Sequence, residues 1–183
     1  MRNKPKWYSI LLTGLVFLLA SSVIGCALSP IDEETQEILD FTEDILPIIE
    51  ASNQLAADYN DFTLKLIDIL AELHTLQPAE AEALQSQIGA ELRELIRRAS
   101  NIYVEIGQLN APPSCRAVQY KWKEAYGYYT QGLEYVLSCF ATGDSEACDK
   151  SDELLMKANL CVTEAKYELD DIASAHGIEV EWK

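Results

Sequence analysis

Ile38 to Leu73 reads ILDFTEDILPIIEASNQLAADYNDFTLKLIDILAEL, in which Ile38, Phe41, Ile45, Ile48, Ser52, Leu55, Tyr59, Phe62, Leu66, Ile69 and Leu73 follow one another at steps of three and four. Such a series lines one face of an α-helix, and a helix with one apolar stripe must bury it against others. Only Ser52 interrupts the apolar character. Pro47 falls inside the stripe, where it removes one backbone hydrogen bond and crowds the preceding turn; at a first-turn position it would be welcome. The first helix is therefore either long and kinked at Pro47, or an acidic lead-in helix ends near Ile45 and a bundle helix starts at Pro47.

Three more stripes follow. Ile88, Leu92, Leu95, Ala99, Ile102, Ile106 and Leu109 form the second, opened by Pro78 and by Glu80 and Glu82, which favour a helix's amino end. Asn110-Ala111-Pro112-Pro113 breaks the chain. The third comprises Cys115, Val118, Trp122, Ala125, Tyr129, Gly132, Val136 and Cys139, ending near Gly143. The fourth comprises Cys148, Ser151, Leu155, Ala158, Val162, Ala165, Leu169, Ile172 and His176, with Asp144 as N-cap and Gly177 just past the end. No segment alternates with period two at strand length. Short connections place consecutive helices antiparallel, so the expectation is an all-α, up-down-up-down four-helix bundle.

Before the first stripe lies a segment of different composition. Arg2, Lys4 and Lys6 precede a run from Ile10 to Ala20 whose only polar residue is Thr13. A basic start, an apolar run and then small residues describe a secretory signal, and the run is shorter than the roughly 20 residues of a spanning helix. Extended to Ala27 it would reach a marginal span and serve as a signal anchor. Val23-Ile24-Gly25-Cys26 separates the two, because it resembles the lipobox of bacterial lipoproteins, with an aliphatic residue, Gly and Cys in the right places. That resemblance covers the amino-terminal segment alone. It implies cleavage before Cys26, acylation of its thiol and stable attachment to a membrane through the added chains. Ala27 is not the Asp that in this class often retains the product on the inner membrane, so both the outer face of the cytoplasmic membrane and an outer membrane remain open as destinations.

The expected layout is a lipoprotein signal peptide over 1–25, an acidic tether or lead-in helix over 26–46, the bundle over 47–177 and a tail over 178–183. The full chain has 183 residues and a formal charge of −16; cleavage removes three positive charges and no negative ones, leaving −19. Nucleic acid and bare anionic membrane are poor partners for such a surface. No Lys or Arg lies between Lys6 and Lys65, so residues 27–46 read as a segment that anionic headgroups would repel within about 8–10 Å.

Four cysteines besides Cys26 suggest disulfides in an exported chain. Cys115 with Cys139 would join residues about 36 Å apart along one helix, Cys148 with Cys161 about 20 Å, and Cys115 with Cys148 would cross nearly a whole helix. Cys139 with Cys148 closes the third turn. Cys115 with Cys161 is then the remaining pair, and it requires the chain before Arg116 to fold back or the fourth helix to bend, since Cys161 would stand about 16 Å from Cys115.

Chemistry is sparse. There is no C-x-x-C spacing for a metal site, and neither His74 nor His176 has ligand-like neighbours. Ala71 and Ala173 occupy the places a di-iron Glu-x-x-His motif would need. No nucleophile–base pair, phosphate loop or calcium loop is present, and no catalytic residue, metal or cofactor is implied. One local excess stands out: Tyr120, Trp122, Tyr126, Tyr128, Tyr129 and Tyr135 lie within sixteen residues. Trp122 and Tyr129 belong to the stripe, whereas Tyr120, Tyr126, Tyr128 and Tyr135 form a candidate ligand or partner surface, with Gly127 and Gly132 permitting close helix approach or a shallow pocket. The expectation is a non-enzymatic extracytoplasmic lipoprotein whose bundle binds a protein partner or has an envelope role. The alternative is a module that binds a small ligand through the aromatic third helix or a cation through the acidic first.

Overall fold

The computed structural model describes residues 32–72, 77–180 and Trp182. The signal segment, the lipobox with Cys26, and His74 lie outside the described residues. The chain divides into two units, Met1–Asp32 and Glu33–Lys183. The second holds four helices among its described residues: α1 (Glu33–Glu72), α2 (Pro78–Gln108), α3 (Arg116–Thr142) and α4 (Ser145–Ala175), with a single 3₁₀ turn at Pro113–Cys115 before α3.

Side-chain pairs give the registers. Asp58 with Arg98 and Lys65 with Glu91 set α1 antiparallel to α2. Cys139 with Cys148 does so for α3 and α4, as does Leu155 lying over Gly132. Thr35 Oγ1 lies 3.0 Å from His176 Nδ1, joining the start of α1 to the end of α4. At the opening of α3, Gln119 donates to the carbonyls of Ile106 and Leu109 at 2.7 and 2.8 Å, satisfying the carboxyl end of α2. The result is the up-down-up-down bundle the four stripes imply.

The boundary expected at 46/47 is absent. α1 is one helix through Pro47, and its first four turns bury Ile38, Phe41 and Ile45 in the same core as Val118, Trp122 and Leu169. Residues 33–46 are thus bundle rather than tether. Pro47 is tolerated because it faces solvent, where water can reach the Glu43 carbonyl that loses its partner. The acidic residues of this stretch occupy the outer face, which is why charge alone resembled a stand-off segment.

The helix ends follow local chemistry. Pro78 sits at the first-turn position of α2, and Glu80 accepts from the Gln77 amide at 3.0 Å. Gly143 adopts φ +69° to close α3, a conformation costly for any residue with a Cβ. Asp144 then caps α4 by accepting from the Glu146 amide at 3.0 Å. Gly177, at φ +71°, ends α4, and the Ile178 amide reaches back to the Ala173 carbonyl at 2.9 Å. Beyond it the chain folds back: Ile178 packs on the core, and Trp182 lies tilted against Trp122 with ring centroids 6.1 Å apart, donates to Asp170 at 2.7 Å and lies under the Lys166 ammonium. The expected tail is therefore packed against the bundle over its described residues.

The fourth stripe holds at Ser151, Ala158, Ala165 and Leu169, which are buried as expected, and departs from its line by one position elsewhere. Leu154 is buried while Leu155, which lies against the bare backbone of Gly132, is partly exposed, and near the helix end Ala173 is buried in place of Ile172. Ser52, the one polar interruption in α1, donates to the Ile48 carbonyl at 2.6 Å and shares a hydrogen bond with the Tyr126 hydroxyl. Its polarity serves a buried tyrosine.

Candidate functional site: the tyrosine face of α3

The tyrosines of α3 divide between two environments. Tyr126 is only 6% exposed, and with Tyr129 and Tyr59 it forms an interior cluster with ring centroids about 6 Å apart. Its place on the candidate surface is corrected accordingly: Tyr126 lies one turn beyond Trp122, inside a buried face wider than one residue per turn. Burial pushes the Tyr126 and Tyr129 hydroxyls above the ordinary tyrosine range, so neither ionises at neutral pH.

Tyr120 and Tyr135 do face water, at 67% and 40% exposure. Tyr120 and Tyr128 line a shallow groove of about 320 Å³ with Lys123, Glu124, Gly127 and Gln131 of α3 and Tyr103 of α2. Gly127 forms its floor: a Cβ there would stand 3.6 Å from the Tyr103 ring, an ordinary van der Waals contact, so the ring lies close over this position whether or not a small side chain is present. The Lys123 ammonium sits 5.0 Å from the Tyr103 ring centroid, a cation–π contact that fixes the ring. Tyr128 donates to the Glu124 carboxylate at 3.0 Å, and that carboxylate holds the phenolic proton on, raising its pKa. On its other side Tyr128 meets the Lys157 ammonium of α4, 6.0 Å from the ring.

The groove thus presents three tyrosines, both signs of charge and an amide. Tyr135 is exposed outside it. Tyr103 is the member that sequence reading missed; it flanks the α2 stripe beside Ile102, and only the crossing of α2 over Gly127 brings it to α3.

The cysteines resolve in one pair. Cys139 and Cys148 are bonded with a Cα separation of 5.1 Å, as expected for a staple across the α3–α4 turn. The second bridge is absent: Cys115 and Cys161 are both free, Cys115 buried before α3 and Cys161 part-way along α4. The stapled register places Cys161 beside Lys121 and Glu124 within α3, whereas Cys115 precedes that helix. Burial raises both thiols, and the Glu124 and Glu164 carboxylates add to the effect at Cys161, so neither is an activated nucleophile.

Among the described residues no group of three or more His, Cys, Asp or Glu side chains is arranged to hold a metal ion, the acidic face of α1 included. No described helix is long and apolar enough to cross a membrane. Comparison with protein-family models, curated proteins and solved structures finds no match.

Proposed function

We propose that this protein is a lipoprotein held on the extracytoplasmic side of a membrane through an acylated Cys26, and that its bundle is a non-enzymatic module binding a protein partner through the tyrosine face of α3. The observation that carries the binding half is the 67% exposure of Tyr120 beside Tyr103 and Tyr128, whose rings are held in place by Lys123, Glu124 and Lys157. Rigid rings with polar tips give large contact area at small entropic cost, and they are enriched where proteins meet. The Cys139–Cys148 bond supports the compartment, since such bonds persist outside the reducing cytoplasm.

The test places a photo-crosslinking residue at Tyr120 and, separately, at Leu64 on the outer side of α1, in the native host. A discrete adduct from position 120 that is lost on Tyr103→Ala, with none from position 64, is the expected result. Equal adducts from both positions, or none from 120, would refute the binding half. Intact mass of the protein from the membrane fraction tests the anchor: cleavage before Cys26 plus acyl chains is expected, and an unmodified full-length chain would overturn it.

A further inference from the structure

A second opening lies at the stapled end of the bundle, away from the tyrosine face. Leu66 and Ile69 of α1, Leu84 and Ile88 of α2, and Val136 and Phe140 of α3 line an open-mouthed chamber of about 580 Å³. Helix-bundle interiors are packed as tightly as organic crystals, whereas the Leu, Ile, Val and Phe side chains along this opening are not closed over one another. It falls within the roughly 300–1,000 Å³ typical of small-molecule sites. Leu66, Ile69, Leu84, Val136 and Phe140 are each only partly buried, so apolar surface stays uncovered on all three helices. The walls are braced: Pro78 fixes the first turn of α2, and the bond from Cys139 ties the last turn of α3 to α4.

The lining also selects chemistry. Its acidic member, Glu82, and its amide, Gln85, are both exposed and stand at the rim. Among the described residues of the apolar wall none can pair with a charge, and burying one unpaired is costly. The amino end of α2 would otherwise favour an anion, yet Glu80 already accepts from the Gln77 amide there. With Glu82 beside it and a chain charge of −16, an anionic head is repelled from the mouth.

We propose that this chamber binds the aliphatic chain of an amphiphile whose head is uncharged or cationic. The site is independent of the tyrosine face and of the anchor on Cys26.

The experiment uses the chain from Ala27 onward, which retains the complete Glu33–Lys183 unit, with N-phenyl-1-naphthylamine as an uncharged fluorescent probe. Saturable binding is expected, displaced by dodecanol and dodecyltrimethylammonium at concentrations at least tenfold lower than by dodecanoate, all below micelle formation. Ala81→Phe, which fills the chamber, and Gln85→Trp, which covers its mouth from an exposed position and does not burden folding, should each weaken the probe at least tenfold. Tyr120→Ala should leave it unchanged. Absence of saturable binding to the unmodified chain overturns the proposal, as does full binding in a folded Gln85→Trp variant. Equal displacement by dodecanoate overturns the assignment of the head.

Discussion

Two glycines five positions apart in α3 should respond to alanine in opposite directions. A Cβ added at Gly132 would stand 2.9 Å from both Cγ and Cδ2 of Leu155 and 3.4 Å from its backbone nitrogen. Cγ is the branch carbon, so rotating the end of the side chain does not clear it, and the helices are stapled seven residues away on each strand by Cys139–Cys148. Overpacking of this kind costs about 1–3 kcal/mol, whereas Ala gains roughly 1 kcal/mol over Gly within a helix. Gly132→Ala should therefore destabilise by about 1 kcal/mol net. At Gly127 the nearest atom to the added Cβ is Tyr103 Cε2 at 3.6 Å, an ordinary contact, so Gly127→Ala should stabilise by roughly 1 kcal/mol. The gap of about 2 kcal/mol corresponds to roughly 4–8 °C in Tm for a chain of this size, read by circular dichroism at 222 nm. Adding Leu155→Ala to Gly132→Ala should recover stability relative to the sum of the single changes, with a coupling of at least about 0.5 kcal/mol. If Gly132→Ala melts at or above Gly127→Ala and shows no coupling to Leu155, the close approach of α3 and α4 described here is wrong.

Ile38→Ala tests the start of the bundle: a fully buried isoleucine should cost about 2–5 kcal/mol in urea unfolding, whereas a tether residue would cost nothing measurable. Replacing Cys139 and Cys148 together by Ser reopens a short loop and should lower stability by roughly 2–3 kcal/mol, with reducing agent giving the same loss in the unmodified chain. Glu153 lies between Lys150 and Lys157, whose hydrogen bonds pull its carboxyl down to about 2. Because the folded state binds this proton more weakly than the unfolded one, the ion-paired contribution is present above the ordinary carboxylate range and lost as pH falls from there through about 2. Carboxyl-detected NMR should give a midpoint near 2 for Glu153, moving toward the ordinary value in Lys157→Met; an unshifted midpoint in the unmodified chain would exclude these pairs in solution.

The architecture was legible because helical periodicity is a local signal. Each stripe names a face without knowledge of the others, and the Gly and Asp residues at 143, 144 and 177 mark ends through backbone chemistry alone. What failed is what depends on the width of a face or on crossing. Tyr126 and Leu133 are buried because the covered arc of α3 spans more than one residue per turn, which a single-file stripe under-counts. The shift from Leu155 to Leu154 follows from a close approach at Gly132, and Tyr103 joins the site through α2 lying over Gly127; both are contacts between segments distant in sequence. Residues 33–46 were misjudged because their acidic side chains dominate composition, although Ile38, Phe41 and Ile45 carried the stripe throughout.

The staple also changes what a protease can accomplish. Residues 141–146 are all exposed and connect α3 to α4, making this turn an accessible place to cut between the helices. A single scission there falls between Cys139 and Cys148, so the two pieces stay covalently joined and remain packed along the α3–α4 seam. Nicked and intact protein would co-migrate until the bond is reduced. Wherever reductants are scarce, a cut at this exposed turn becomes a scar rather than a severance.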